Sequence, residues 1–177
     1  FTNNNLDVAY TGFHSHDGSD HTYDNNTVTN FDEYGIYFNC SENATITNNH
    51  LETDSGGNWK VGIRNDCGTP ANATINNNYV KVENSADWDD HIYGILVHDS
   101  ELDSNEVEVY QHGRHRNEAW GIYANRSTIT NNTIYVYDNF QDQSRWGYGI
   151  TSWSDSDNRS LIEGNTITAD RETRGIW

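Results

Sequence analysis

Apolar residues are scarce in this chain of 177, where they make up 33%, and the mean hydropathy is −0.92. A chain of this length is one domain's worth and can bury a core, yet an ordinary globule would pack more apolar side chains inside. The shortage suits a slender solenoid, in which each coil buries a few inward residues and leaves much of its surface wet. Basic residues are scarcer still. Lys and Arg number 10 against 27 Asp and Glu, a formal charge of −17 that opposes phosphate backbones and anionic lipid and argues against nucleic acid as a partner. No run approaches the roughly 18 to 20 apolar residues that span a bilayer. The chain opens on Phe1 without Met or a charged-then-apolar leader, so it reads as the mature part of a processed protein or an excerpt from a longer one.

What the chain has in plenty is Asn, and the Asn is periodic. Aligned on Asn-Asn-x-apolar, it offers Asn4, Asn26, Asn49, Asn78, Asn105, Asn132 and Asn165, spaced by 22, 23, 29, 27, 27 and 33 residues. Each stands two residues before an apolar one: Leu6, Val28, Leu51, Val80, Val107, Ile134 and Ile167. A polar amide at one phase of such a repeat is what a stacked solenoid needs. Each buried amide can donate to one neighbouring coil and accept from the other, so the ladder satisfies its own hydrogen bonds.

Two more columns share this phase. Phe1, Tyr23, Ile46, Ile75, Leu102, Ile129 and Ile162 stand five residues before the first apolar column, and Gly-apolar pairs recur at Gly12, Gly35, Gly62, Gly94, Gly121, Gly149 and Gly175. Each repeat thus reads as a short strand, a polar bend carrying the Asn, a second strand, and a third strand entered through Gly, where a side chain would collide. The predicted fold is all-β: a right-handed, single-stranded parallel β-helix of about seven coils over residues 1–177, each of about 22–33 residues, without evident caps. The motifs "TITNN" at Thr45–Asn49 and Thr128–Asn132 and "GIY" at Gly35–Tyr37 and Gly121–Tyr123 resemble the parallel β-helix repeat of the pectin-lyase-like superfamily, especially the repeats of secreted archaeal and bacterial surface proteins. The resemblance covers the whole chain and implies the fold. It implies no single activity, because this fold hosts lyases, hydrolases, epimerases, phage spikes and adhesins.

Cys40 and Cys67 each lie five residues after a Gly of the third column. Stacked coils place such positions ~4.8 Å apart, inside the span a disulfide accepts, so a Cys40–Cys67 bond is expected. Seven Asn-x-Ser/Thr sequons occur; those at Asn39, Asn43, Asn72, Asn125 and Asn158 are the expected glycosylation sites of a secreted protein, while Asn25 and Asn131 are crowded by the ladder.

The connection before the Gly strand is longest in four successive repeats, and insertions at one phase of a solenoid emerge on one face. That face carries Trp59, Trp88, Trp120 and Trp146, aromatic groups suited to stacking sugar rings, to meeting another protein, or to capping loop bases. Asp89, Asp90, Arg114 and His115 are the groups available for polysaccharide lyase or glycoside hydrolase chemistry, but no complete catalytic signature surrounds them, and salt bridging between the two loops is the favoured role. No transition-metal set emerges; His14 and His16 would share a strand face, and Asp87, Asp89, Asp90, Asp155 and Asp157 could hold calcium through oxygen.

Uncapped end coils expose apolar side chains and strand edges that invite association. With Phe1, Ile176 and Trp177 at those ends, the expectation is an extracellular structural protein at the cell surface, a β-helical subunit that joins copies of itself head to tail into a filament, sheath or surface layer. The alternative is a carbohydrate-active or carbohydrate-binding β-helix that uses the Trp-rich face on a polysaccharide.

Overall fold

Alternation makes the strands. In Thr45–Thr47 and Thr128–Thr130 the central Ile is fully buried while the flanking Thr hydroxyls stay at the surface, and β-branched residues favour the pleated backbone that separates them. The structure, a computed structural model, describes residues 1–8, 10–54, 59–66, 71–85, 91–112, 118–138, 147–153, 159–170 and 173–177, with the backbone alone of Asp138 and Asp170.

The described residues form a parallel β-solenoid with three sheets and no helix. The sheet before the Asn bend has six strands: Thr22–Asp24, Thr45–Thr47, Thr74–Asn76, Glu101–Asp103, Thr128–Thr130 and Leu161–Glu163. Thr2 extends it through a single bridge to Asp24. The sheet after the bend has seven: Asn5–Asp7, Thr27–Thr29, His50–Thr53, Tyr79–Asn84, Glu106–Gln111, Thr133–Asp138 and Thr166–Asp170. The Gly sheet also has seven: Thr11–His16, Tyr34–Asn39, Lys60–Arg64, Ile92–His98, Ala119–Asn125, Gly147–Thr151 and Thr173–Ile176. Each strand pairs with its counterpart one repeat away, so like stacks on like. Val28, Leu51, Val80, Val107 and Ile134 form one fully buried column, and Ile36, Ile63, Ile95, Ile122 and Ile150 another.

The bend between the first two sheets explains the doubled Asn. Its first residue adopts a left-handed backbone, with φ of 53° to 56° at Asn3, Asn25, Asn48, Asn77, Ser104 and Asn131 and 69° at Gly164. Asn and Gly enter this region at least cost. The second residue is the ladder Asn. Gly is required where the third sheet closes on the second: a Cβ on Gly94 would sit 2.6 Å from the carbonyl oxygen of Gly121 and collide with Val107. Another left-handed corner, at Asp20, Asn43, Asn72, Asp99 and Arg126, turns the chain back into the first sheet.

Candidate ligand-binding groove

The ladder amides are held on both sides. Nδ2 of Asn4, Asn26, Asn49, Asn78, Asn105 and Asn132 donates to Oδ1 of the next Asn in the series at 2.9 to 3.0 Å. The same Oδ1 also accepts the backbone N–H of the preceding Asn, as from Asn78 to Asn105 at 3.0 Å. From Asn26 onward, Nδ2 also donates to a carbonyl just before the bend of the preceding repeat, for example Asn105 to Ile75 at 2.7 Å. Asn26, Asn49, Asn78, Asn105 and Asn132 are buried. With donors and acceptors used within the stack, the ladder has nothing left for a ligand.

A row of aromatic side chains lies on the outside of the Gly sheet. Tyr93, Trp120 and Tyr148 each precede a Gly and stack in register, with centroids 4.5 Å apart and planes 5° off parallel for Tyr93–Trp120, then 5.8 Å and 12° for Trp120–Tyr148. The row continues to Trp59 at one end and to Trp177 and Trp153 at the other. Arg64 closes the Trp59 end. Its guanidinium lies 4.4 Å over the Trp59 ring and 5.0 Å over Tyr34, donates to the Tyr34 hydroxyl and pairs with Asp66. Burial pushes the hydroxyls of Tyr93 and Tyr148 above the ordinary phenol range, with the Glu118 charge adding to it, so both stay neutral.

At the far end the row opens into a groove of about 300 Å³ lined by Glu118, Trp120, Tyr123, Tyr148, Thr151, Trp153 and Trp177. Trp120 is 7% exposed, and both its faces are taken by Tyr93 and Tyr148, so it forms the groove's back wall. The open faces belong to Trp153 and Trp177, 56% and 51% exposed, whose rings stand 81° apart at 5.0 Å. Their backbones are pinned: Trp153 N–H donates to Asn125 Oδ1 at 2.9 Å, and Trp177 N–H to the Ile150 carbonyl at 3.0 Å. Thr151 lies in the same wall, 1% exposed, and its hydroxyl has no hydrogen-bond partner among the described residues.

Of the residues expected at the loop face, Trp59 and Trp120 join this row. Trp88, Trp146, Asp89, Asp90, Arg114 and His115 lie outside the described residues, as do Asp87, Asp155, Asp157, Cys67 and Asn158. Cys40 is disulfide-bonded. Asn43 and Asn72 are exposed on the second corner, Asn39 is half-buried, and Asn125 is engaged in holding Trp153. His14 and His16 share an outer face, where His14 stacks on Tyr37 and His16 pairs with Asp17 at 3.0 Å. Among the described residues no group of three or more His, Cys, Asp or Glu is arranged to hold a metal ion.

Sequence reasoning missed Tyr93, Tyr148, Thr151, Trp153 and Glu118. For the first two a signal existed, an aromatic residue directly before Gly in several repeats, but the others occur in one repeat each. It also missed a Ser column, in which Ser100 N–H donates to Ser127 Oγ and Ser127 N–H to Ser160 Oγ, both at 3.1 Å. A further row covers the second sheet, where Lys81 pairs with Glu52 at 2.9 Å and His112 meets Glu83 at 3.1 Å. There the Lys81 and Glu52 charges neutralise one another.

Residues 1–177 match the family described as the right handed beta helix region. No curated protein and no solved structure matches the chain.

Proposed function

The chain belongs to the right-handed β-helix family, and from that premise we propose that it is an extracellular carbohydrate-binding β-solenoid whose aromatic groove holds part of a polysaccharide. The observation that carries this reading is the open indole face of Trp153, at right angles to Trp177 and in the same groove as the Thr151 hydroxyl, which has no partner among the described residues. Sugar rings present C–H faces to aromatic rings and hydroxyls to polar groups, and a groove of this volume suits one or two rings. Binding of oligosaccharides followed by calorimetry tests it. The parent should bind at least one member of a panel of neutral and charged tetrasaccharides, and Trp153→Ala should lose most of that affinity. A parent that binds none removes the reading.

Head-to-tail assembly of copies is the second proposal. Phe1, Ile176 and Trp177 are exposed in the outermost coils, but further coils of the same repeat would cover them equally well. The groove shares Trp177 with that end coil, so the carbohydrate reading rests on Trp153, which lies one coil further in. An extracellular setting accords with the disulfide at Cys40, whose proposed partner is Cys67, and with the exposed sequons at Asn43 and Asn72. Alkylation without reductant should add no mass, and two added groups would exclude the bond.

A further inference from the structure

The corner that turns the chain back into the first sheet forms a column of its own, and a groove of about 330 Å³ opens beside it. One wall is the column itself, with Asn72, Asp99 and Arg126 all in the left-handed backbone region. The floor is the outer face of the first sheet, where Thr74, Glu101 and Thr128 stand in register on three neighbouring strands. Arg126 is fixed there by two bonds to the Asp99 carboxylate, from Nε at 2.7 Å and from Nη2 at 2.5 Å. Every lining side chain is polar, so the groove suits a hydroxyl-rich occupant rather than an apolar one.

Asn72 and Thr74 are also the amide and the hydroxyl of the sequon Asn72-Ala73-Thr74. Ala73 between them packs into the core while Asn72 is exposed, so the two functional groups face the groove together. The other sequons are placed differently. Nδ2 of Asn25 donates to Asn3 at 2.6 Å and that of Asn131 to Asp103 at 2.8 Å, bonds that tie one repeat to the next. Oδ1 of Asn125 accepts the Trp153 N–H, and Ser41, whose hydroxyl would complete the Asn39 sequon, is 1% exposed and bonded to Ser15. Asn43 begins the same tripeptide one repeat earlier, with its Nδ2 3.5 Å from Asp20 Oδ1. We infer that Asn72 carries an N-linked glycan and that the polar groove seats its first sugar. The donor is an oligosaccharide activated by a diphosphate. Its anomeric carbon bonds to Nδ2, the bond from that carbon to the diphosphate oxygen breaks, the diphosphate leaves with the electron pair, and one amide proton passes to a base of the transferring enzyme. From Asn72 the sugar leads over Thr74 toward Thr128, with Glu101 placed to accept from its hydroxyls. Only the extracellular setting is shared with the carbohydrate-binding reading; the Trp153 groove plays no part.

Secretion of the chain from a eukaryotic host that N-glycosylates, followed by peptide mass spectrometry after amidase release in heavy-oxygen water, tests the site. Asn72 should be modified in most molecules, and Asn25 and Asn131 should stay unmodified. Thr74→Val, which keeps a β-branched strand residue and removes the hydroxyl, should abolish the modification. Unmodified Asn72 in the secreted parent, occupancy at Asn25 or Asn131 equal to that at Asn72, or modification that survives Thr74→Val overturns the site. With the glycan trimmed to one sugar, nuclear Overhauser contacts should join its ring protons to the Thr74 and Thr128 methyl groups. A sugar that contacts neither overturns its seat in the groove. Calorimetry with oligosaccharides reads the Trp153 groove separately, so failure here leaves that reading standing.

Discussion

Two ladders run along the same solenoid, one of amides inside the Asn bend and one of rings outside the Gly sheet, and they differ in how far they satisfy themselves. Within the run of buried Asn every donor and acceptor is used, so the ladder fixes the spacing of coils and offers nothing outward. The ring row satisfies itself only in part. Tyr93, Trp120 and Tyr148 cover one another's faces, but Trp153, outside that register, keeps an open face in the same groove as the Thr151 hydroxyl, which has no partner among the described residues. Repetition serves stability, and the residues that depart from it, Thr151 and Trp153, line the groove.

The comparison is broken most severely from the inside. Asn78→Leu removes an amide that donates to Asn105 and to the Ile46 carbonyl and accepts twice from Asn49. At about 1 to 3 kcal/mol for each buried group left unpaired, the loss should reach several kcal/mol in urea denaturation. A variant as stable as the parent would refute a structural role for the ladder. Next comes the closed part of the ring row. Trp120→Ala should cost about 3 kcal/mol, because it empties a stacked and buried position, whereas Trp153→Ala should stay within about 0.5 kcal/mol. Equal losses would erase the distinction between wall and open face.

Smaller effects separate the two Asn of each bend. Asn48 has φ of 56° and donates to Asp24, so Asn48→Ala, which loses that bond and strains the backbone, should cost about 1 kcal/mol more than Asn48→Gly, which loses the bond alone. The smallest effect is that of acid. Hydrogen bonds from Asn48 and Thr47 hold the Asp24 carboxyl below its ordinary range, as do those from Thr130, Asn131 and Ser104 for Asp103, and Lys81 lowers Glu52. In each case the unfolded chain binds protons first, so the stability these groups contribute is present above about pH 4 and is lost as pH falls through the lower folded values. Burial lowers His98 likewise, which places the start of its loss just below about pH 6.5. Melting temperature should therefore fall steadily from pH 7 to pH 3, and Asp103→Asn should flatten the lower part of that slope.

What could be read from the sequence follows the same division. The strands, the Gly approach and the Asn column were visible because one physical demand recurs in every repeat and one or two residue types meet it. Asn48-Asn49 shows it best, the first Asn tolerating a left-handed backbone and the second carrying the ladder. The ring row was half hidden, because the position before Gly is filled by Tyr34, Val61, Tyr93, Trp120 and Tyr148 in turn. The Ser column was hidden in the same way, since Ala44 and Ala73 occupy its phase in earlier repeats. The open end of the groove was invisible. Thr151 and Trp153 meet Trp177 and Glu118 through stacking across coils, which no spacing within one repeat encodes.

The most direct test of the groove as a saccharide site is the shift in melting temperature that saturating tetrasaccharide produces in the parent and in Trp153→Ala. A ligand at a hundred times its Kd stabilises the folded state by about 2.7 kcal/mol. The parent should melt several degrees higher with the sugar than without it, while Trp153→Ala, melting close to the parent when free, should show no rise. An equal rise in both proteins, or none in the parent, would contradict the assignment.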